Sequence, residues 1–302
     1  MMKEPFHEGE IEVQGRVGVR AMAEKIGHGI HDDIPAIVAA FVREQSMLIA
    51  ATIDRSGALW ASLLTGAPGF AHAVDPHTLR VDAEPGEGDP LAGTLRSGAA
   101  LGVLTIEFAT RRRMRLNGIA EPIAPRGFLL RVREVFGNCP KYIQQREAPA
   151  DPPRQTRGRL LSDAQQLSAS QRRWIETADT FFIASAHPVR GADVSHRGGD
   201  PGFVRFADGE TLVWPEYTGN MMFQTLGNLR VNPSAGLLFL DFSEGRTLQL
   251  TGKTTIVWDP TAHPGFAGAQ RFVELRVERA IEIADNLPPG WRFVEASPFN
   301  PR

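Results

Sequence analysis

The sequence predicts a mainly β protein built from two tandem antiparallel barrels, with helices at the N-terminus and between strands. Three observations lead to this prediction: an internal repeat, short strand-like segments in both copies, and turn-forming residues between those segments. WASLLTGAPGF at 60–70 aligns with DVSHRGGDPGF at 193–203, which lies 133 residues later. LGVLTIEF, ending at Phe108, and AGLLFLDF, ending at Phe242, repeat at almost the same spacing. Agreement at several places with nearly constant spacing indicates a duplicated unit.

Each copy is predicted to consist mainly of strands. The first copy contains MLIAATI, TLRVD, LGVLTIEF and RMRLNGIAEPI, and the second contains FFIASA, TLVWP, AGLLFLDF and RTLQLTGKTTIV. These segments are short, rich in apolar or β-branched residues, and bounded by Gly, Pro, Asp or Asn. About four to six strands at this spacing favour an antiparallel barrel. Helical spacing followed by Gly or Asn-Pro predicts one helix within each set, near Pro90 and after Met221.

The segments outside the strands set the expected domain boundaries. Two N-terminal helices are predicted within Glu8–Gln45, with breaks at Gly27–Gly29 and at Pro35. Glu147–Arg159 is rich in Pro, Arg and Ala, which predicts a linker, and Ser162 is the predicted N-cap of a helix that leads into the second barrel. We expect N-terminal helices in 1–45, the first barrel in 46–150, and a linker helix with the second barrel in 151–302, with the boundary near residue 155.

Composition narrows the class of function. The chain has 302 residues, of which 42% are apolar and 23% charged, as in a globular protein with a large core. The apolar runs are strand-sized, shorter than the ~20 residues that span a membrane, and the acidic N-terminus has no apolar signal core, so we expect a cytoplasmic protein. A net charge of −2 gives no bulk attraction for nucleic acid. A single cysteine, Cys139, rules out an intrachain disulfide, and the histidines lack metal-ligand spacing, so no metal site is predicted.

The two copies differ where the second has SHRG at 195–198 and the first has SLLT at 62–65. A strand that needs only packing would tolerate either set, so the second copy is predicted to use His196 and Arg197 for binding or catalysis. The two glycines after Arg197 allow a close backbone approach, and a guanidinium beside exposed amides suits a phosphate. The alternative is a solvated arginine and a surface histidine in a turn.

A second group of polar residues follows the next strand. The segment PEYTGNMMFQTLGNLRVNP begins at Pro215 and places hydroxyl and amide side chains around Gly219 at a strand-to-helix junction, where free N–H groups would meet an anion. The candidate residues here are Tyr217, Thr218, Asn220, Thr225 and Asn228. The alternative is that Gly219 and Asn220 only form the turn.

The first copy holds residues that the second lacks. VREVFGNCPKYIQQRE, at 132–147, brings Asn138, Lys141 and Tyr142 after a strand, and the matching segment of the second copy has no lysine or tyrosine there. Complementary losses of this kind indicate one composite site between the copies. The alternative is that Lys141 and Tyr142 face solvent at the start of a helix.

These motifs carry a family resemblance. The order D-x-S-x-R-G, P-G-F-V, L-x-x-P, G-N, N-L-x-x-N-P and T-L-x-L-x-G resembles the FMN-binding split barrels related to pyridoxamine 5′-phosphate oxidase, over roughly residues 40–285. In that family two barrels pair, usually as a homodimer, and the flavin lies in the groove between them. The resemblance therefore implies two tandem split β-barrels that form an internal pseudo-dimer and hold FMN.

The resemblance also assigns roles to positions of this chain. The strand that touches the flavin ring and ribityl chain is implied to hold Ser195, His196, Arg197 and Gly198. The other implied FMN-binding residues are Pro215, Gly219, Asn220, Thr225, Asn228 and Gln249, with Asn138, Lys141 and Tyr142 from the partner barrel. Three positions depart from the family pattern: Gln224 and Thr225 stand where the oxidases carry an Arg-Lys pair, and Gln249 stands where related proteins often have arginine. Pyridoxamine phosphate oxidase activity is therefore not implied.

We expect an FMN-dependent oxidoreductase that acts on a small molecule. The flavin supplies the redox chemistry, and His196 and Lys141 are the candidate donors that would stabilise its anionic reduced form. Reduced NAD(P)H is the expected electron source and would dock transiently, because no Rossmann motif is present. Exposed strand edges make a homodimer the expected assembly, with no membrane or nucleic-acid partner.

Three alternatives remain at this point. A haem-binding or haem-degrading split barrel would use His196 as iron ligand. A flavin-binding protein without turnover would need the same contacts as an enzyme. A nucleic-acid site would use the arginines of 111–118, but the aromatic platforms of such sites are missing there. Arg113 and Arg115 are instead predicted to face the cofactor groove, because their counterparts are Thr247 and Gln249.

Overall fold

A computed structural model describes residues 4–123, 126–149 and 158–301. The fold is mainly β with N-terminal helices, as predicted. The helices of the described residues are α1 (Glu8–Val17), α2 (Arg20–Gly27), α3 (Ala36–Glu44), α4 (Pro90–Thr94), α5 (Ala169–Thr177) and α6 (Gln224–Val231). In this part of the chain, no helix is both long and apolar enough to cross a membrane.

The strands follow the two copies in order. Those of the first copy are β1 (Met47–Ile53), β2 (Leu59–Thr65), β3 (Ala71–Asp75), β4 (Thr78–Val81), β5 (Ala99–Glu107), β6 (Arg112–Pro122), β7 (Phe128–Gly137) and β8 (Gln145–Glu147). Those of the second are β9 (Arg159–Ala164), β10 (Thr180–His187), β11 (Gly191–Gly198), β12 (Arg205–Phe206), β13 (Thr211–Glu216), β14 (Ser234–Leu240), β15 (Thr247–Val257), β16 (Arg271–Ala284) and β17 (Arg292–Glu295).

Two large antiparallel sheets share one strand order. The first sheet runs β2-β1-β5-β6-β7-β4-β3, and the second runs β11-β10-β14-β15-β16-β13-β12 with β9 beside β16. A register shift interrupts both at equivalent places, between Asn117 and Gly118 and between Thr251 and Gly252. Each sheet encloses its own apolar cluster. The fold is therefore a pair of split-barrel-like domains, and the predicted fold class is confirmed.

The two halves contact each other with an approximate two-fold relation. A Cβ atom at Gly102 on β5 would lie 2.7 Å from Asp193 Cα on β11, and one at Gly236 on β14 would lie 2.8 Å from Trp60 Cα on β2. β14 is the counterpart of β5, and β2 is the counterpart of β11. The two contacts are therefore related by the repeat. A third apolar cluster combines residues of β1, β2 and β5 with residues of β10, β11 and β14. The halves form an internal pseudo-dimer.

The N-terminal region departs from the prediction in one respect. Glu8–Gln45 forms three helices instead of two, because the chain turns at Gly18, where φ is 77°, and ends α1 there. Gly18 donates its N–H to the last carbonyls of α1, which is the usual arrangement of a glycine that ends a helix. The predicted breaks near Gly27–Gly29 and at Pro35 are present.

Ser162 does not cap a helix. It lies on β9, which pairs with β16, and the following helix α5 begins at Ala169 with Ser168 as its N-cap. The edge of β16 offers unpaired backbone groups that β9 satisfies, and this long-range pairing outweighs the local helical pattern. Residues 150–157 of the predicted linker, with the boundary near residue 155, lie outside the described residues, so the domain division stays a prediction.

Glu10 on α1 is a buried carboxyl group whose ionisation opposes folding. Its side chain accepts a hydrogen bond of 2.8 Å from the backbone N–H of His7 and is almost fully buried. Burial raises its pKa from 4.5 to about 8. The folded state keeps this proton up to about pH 8 and the unfolded chain loses it near pH 4.5, so the stability falls as the pH rises through that window.

Glu10→Gln is expected to raise the free energy of unfolding by on the order of 2 kcal/mol at about pH 9, and to change it little at about pH 5, because the amide oxygen keeps the bond from His7 without an ionisable group. Thermal denaturation at the two pH values measures the difference. Glu12→Gln, an exposed acid on the same helix, is the matched control. An equal change at both pH values would contradict the assignment.

Candidate functional site

A cleft between the two halves brings together most of the site residues that the sequence predicts. It encloses about 750 Å³ of empty space, part of it open to solvent. Its walls come from β6 and the segment after β7 in the first half, and from β11, β13 and the start of α6 in the second. The predicted residues that line it are Asn138, Lys141, Tyr142, Ser195, His196, Arg197, Gly198, Pro215, Gly219, Asn220 and Thr225.

Two predicted residues, Asn228 and Gln249, lie elsewhere. Asn228 is on the side of α6 that faces α1, with its Oδ1 3.0 Å from His7 Nε2 and its Nδ2 bonded to Ser185 Oγ. Gln249 donates to Ser62 Oγ in the first half, at 3.0 Å. The two-fold relation between the halves places Gln249 in the opposite groove. Both side chains join structural elements and do not line the cleft.

The floor of the cleft holds a buried ion pair between the halves. Arg115 Nη1 on β6 lies 2.7 Å from Asp193 Oδ2 on β11, and both side chains are only 5% exposed. Arg115 Nη2 also donates to Ser195 Oγ at 2.9 Å, and Arg197 Nη1 donates to the same hydroxyl at 2.7 Å. Ser195 therefore accepts from one arginine of each half.

Arg197 forms an ion pair within the protein. Its Nε and Nη2 donate to the two carboxylate oxygens of Glu216, at 2.6 and 3.2 Å. Glu216 lies on β13, and only the folded sheet brings it beside β11. The contact of Arg197 with a phosphate stays a prediction, and the ion pair with Glu216 would have to open for a bidentate contact.

Unpartnered polar atoms gather in the cleft. Arg113 is 9% exposed, and its Nη2 donates to Cys139 O at 2.9 Å. Its Nε and Nη1 have no hydrogen-bond partner among the described residues. The two ring nitrogens of His196 and the side-chain amide oxygen and nitrogen of Asn138 also have no partner there. A buried polar group without a partner costs about 1–3 kcal/mol, so these atoms fit a ligand that accepts hydrogen bonds.

The electrostatic field of the cleft is positive. Burial, with the neighbouring charges of Arg115 and Arg197, lowers the pKa of Arg113 to about 9, so it stays charged at neutral pH. Burial also lowers the pKa of His196 well below 6.5, and the charge of Arg113 adds to the effect. His196 is therefore a neutral imidazole, and Arg113 is the charged group with unused donors.

The mouth of the cleft carries the two tyrosines of the chain. The rings of Tyr142 and Tyr217 lie 5.1 Å apart between centroids, and Tyr142 Oη donates to the carbonyl of Thr218 at 3.0 Å. Tyr142, Met221 and Phe223 have φ values of 65°, 63° and 62°, a conformation that costs free energy for residues other than glycine. Such backbone strain is concentrated at functional sites.

The C-terminal segment forms hydrogen bonds with the part of the cleft wall that follows β7. Ser297 Oγ accepts from the backbone N–H of Tyr142 at 3.1 Å, and Ser297 N donates to Gln144 Oε1 at 2.7 Å. Lys141 lines the cleft, and its Nζ lies 5.7 Å from the ring centroid of Phe299. Cys139 is half-buried in the same wall.

The arginine run near residue 111 has protein partners. Arg111 Nε donates to Ile143 O, and Arg112 forms an ion pair of 2.7 Å with Glu107. Arg113 and Arg115 line the cleft. These two arginines lie at the groove that the sequence predicts for them.

A histidine cluster lies away from the cleft. His7, Glu8 and His187 place ligand atoms within 4.8 Å of one another. His7 Nδ1 accepts from Gly9 N and His187 Nδ1 accepts from Val189 N, so in both rings Nε2 carries the proton. The arrangement is a hydrogen-bonded cap of α1 and does not have the free nitrogens of a metal centre.

Comparison with protein families gives a match for residues 167–284 to the family described as pyridoxamine 5′-phosphate oxidase. This segment contains β11, β13 and α6, which build the second half of the cleft. The second copy is therefore similar in sequence to the pyridoxamine 5′-phosphate oxidase family.

Solved structures with a similar fold each cover about two fifths of the chain. HupZ of Group A Streptococcus is 14% identical over 41% of this chain and 100% of its own, with a TM-score of 0.33. A putative pyridoxamine 5′-phosphate oxidase of Lactobacillus delbrueckii is 15% identical over 39% and 94%, with a TM-score of 0.32. An FAD-binding protein of Mesorhizobium loti is 16% identical over 39% and 96%, with a TM-score of 0.29. Comparison with curated proteins gives no match.

Sequence reasoning missed two acidic residues of this split-barrel site, Asp193 and Glu216. Both carboxylates occur only in the second copy. In the first copy, Trp60 and Ala83 stand at the equivalent positions. The same comparison between copies that singled out Arg197 would have found them.

Proposed function

We propose that the chain binds FMN in the cleft and is an FMN-dependent oxidoreductase for a small molecule. The observation that supports this most directly is the set of buried, unpartnered donors of Arg113, His196 and Asn138. The isoalloxazine ring and the phosphate of FMN both present hydrogen-bond acceptors, so either part of the cofactor suits these donors. The similarity of residues 167–284 to the pyridoxamine 5′-phosphate oxidase family supports the same cofactor.

The phosphate has two candidate partners in the cleft. Arg113 keeps a positive charge and has two nitrogens, Nε and Nη1, without a hydrogen-bond partner among the described residues. The first turn of α6 has no side-chain cap on its N–H groups, and Gln224 and Thr225 of that turn line the cleft. The partial positive charge of a helix N-terminus favours an anion. Phosphate binding would then rely on these groups in place of the Arg-Lys pair of the oxidases.

The bound flavin would supply hydride and electron transfer. The positive charge of Arg113 would stabilise the negative charge that reduction adds to the flavin. His196, held neutral, would offer one hydrogen-bond donor and one acceptor. Tyr142 and Tyr217 would limit what can stack at the mouth and would keep water out. The substrate is a small molecule other than pyridoxamine phosphate, and NAD(P)H is the proposed electron source.

The visible absorption spectrum of the purified protein tests this function. Flavin bands, with release of fluorescent FMN from the heat-denatured protein, are the expected result. A single intense haem band would replace the proposal with a haem-binding function. A colourless protein that fails to bind added FMN would overturn the proposal.

The two tyrosines provide a direct probe of the cleft. Protein labelled with 3-fluorotyrosine is expected to give two ¹⁹F resonances, since Tyr142 and Tyr217 are the only tyrosines. Both resonances should shift when FMN is added, because both rings lie at the mouth. Riboflavin, which lacks the phosphate, is the control ligand and should shift them only at higher concentration. Unchanged resonances with FMN bound would place the flavin elsewhere.

A further inference from the structure

The internal repeat creates a second groove, which is related to the cleft by the two-fold relation between the halves. We define it by Ser62–Thr65, Asp89, Thr247 and Gln249, the counterparts or neighbours of the residues that line the cleft. Gln249 Nε2 donates to Ser62 Oγ at 3.0 Å, which repeats the bond from Arg115 Nη2 to Ser195 Oγ. The two grooves are therefore equivalent places in the pseudo-dimer.

The second groove is filled by the chain itself. In the cleft, a Cβ atom at Gly219 would meet nothing within 4 Å. At the equivalent Gly86, a Cβ atom would lie 3.0 Å from Asn286 Oδ1 and 3.1 Å from Gly158 Cα. Glu87 N also donates to Gly158 O at 2.9 Å. The segment that enters β9 and the segment that leaves β16 thus cover the position that is open in the cleft.

The charge of the second groove is opposite to that of the cleft. Asp89 is 3% exposed and bonds to Ser62 Oγ at 2.6 Å and to the backbone N–H of Leu91 at 2.8 Å. Gln249 Nε2 also donates to it, at 3.2 Å. All these partners are neutral, so none of them compensates the negative charge of the carboxylate. A phosphate in this groove would be repelled by that charge. The cationic side chains of the cleft are replaced here by Thr247, Gln249 and the leucines of Ser62–Thr65.

We infer that each chain has a single flavin site, because its own residues Gly158 and Asn286 occupy the second groove and Asp89 makes that groove unfavourable for an anion. This inference rests on the proposed function, since FMN is the ligand concerned. A pseudo-dimer of equivalent halves would offer two sites, and this chain is built to use one. The first half then serves as the partner wall of the cleft.

The stoichiometry of FMN binding tests the inference. Native mass spectrometry of the full chain with excess FMN is expected to show one flavin per chain, whether the chain is a monomer or a dimer. Arg113→Met should weaken binding at the one site, so that a titration with FMN still saturates at one flavin per chain but at higher FMN concentrations. Asp89→Asn, which keeps the size of the side chain and lies outside the cleft, should retain one flavin of wild-type affinity.

The outcomes separate the two proposals. Two flavins per chain, or a titration of Arg113→Met in which one site keeps its wild-type affinity beside a weakened one, would overturn the single-site inference and leave the proposed function standing. No bound flavin in the wild type would overturn the proposed function and the inference with it. One flavin that Arg113→Met retains and Asp89→Asn loses would place the site in the second groove and would overturn the inference.

Discussion

Arg113→Met is expected to weaken FMN binding by about 10- to 100-fold. Arg113 is a buried cation of the cleft whose Nε and Nη1 have no hydrogen-bond partner among the described residues, and a hydrogen bond from a charged donor contributes roughly 1.5–3 kcal/mol. Methionine keeps an unbranched side chain but removes the charge and the donors. Titration of the apoprotein with FMN, followed by quenching of flavin fluorescence, measures the dissociation constant.

Arg112→Met is the matched control, since Arg112 is the adjacent residue on β6 but is exposed and paired with Glu107. Its FMN affinity should equal that of the wild type. The melting temperature of the Arg113→Met apoprotein should not fall, because the substitution removes a buried charge without a carboxylate partner. Equal loss of affinity in both variants, or wild-type affinity in Arg113→Met, would show that Arg113 does not bind the cofactor.

Asp193→Asn is expected to lower the free energy of unfolding by about 3–5 kcal/mol. Asp193 is paired with Arg115 between the halves, and both side chains are 5% exposed. Loss of the carboxylate charge leaves a buried guanidinium uncompensated, which is among the most destabilising single changes in a protein. Urea denaturation at neutral pH measures the effect.

Asp163→Asn is the control for this variant. Asp163 also pairs with an arginine, Arg279, but the two side chains are 38% and 46% exposed. Exposed pairs contribute about 0–1 kcal/mol, so this variant should be nearly as stable as the wild type. A double variant, Arg115→Met with Asp193→Leu, should recover part of the loss because it leaves no unpaired charge. Equal destabilisation by Asp193→Asn and Asp163→Asn would show that the buried ion pair between the halves contributes no more to stability than an exposed ion pair.

The sequence determined the duplicated β architecture. Strand patterns and the spacing of the repeat are local or linear properties, so they can be compared along the chain without coordinates. The same comparison singled out His196 and Arg197 and the complementary segment with Asn138, Lys141 and Tyr142. The structure places all five at one cleft.

Only the tertiary structure decided which polar groups are free and which are paired. Glu216 neutralises Arg197, and Asp193 neutralises Arg115, while Arg113 keeps unused donors. These partners lie on different strands or in different halves, and the pairing depends on sheet register and on the packing of the halves. That packing cannot be predicted from the residue types along the chain.

The same reason explains the remaining differences. Ser162 lies on a strand because the distant edge of β16 accepts it, and Asn228 faces away from the cleft because α1 packs on that side of α6. The second groove is closed because Gly158 and Asn286 meet at Gly86 only after folding. Sequence patterns thus fixed the elements and the candidate chemistry, and contacts between distant residues decided which of the two equivalent grooves is open and positively charged.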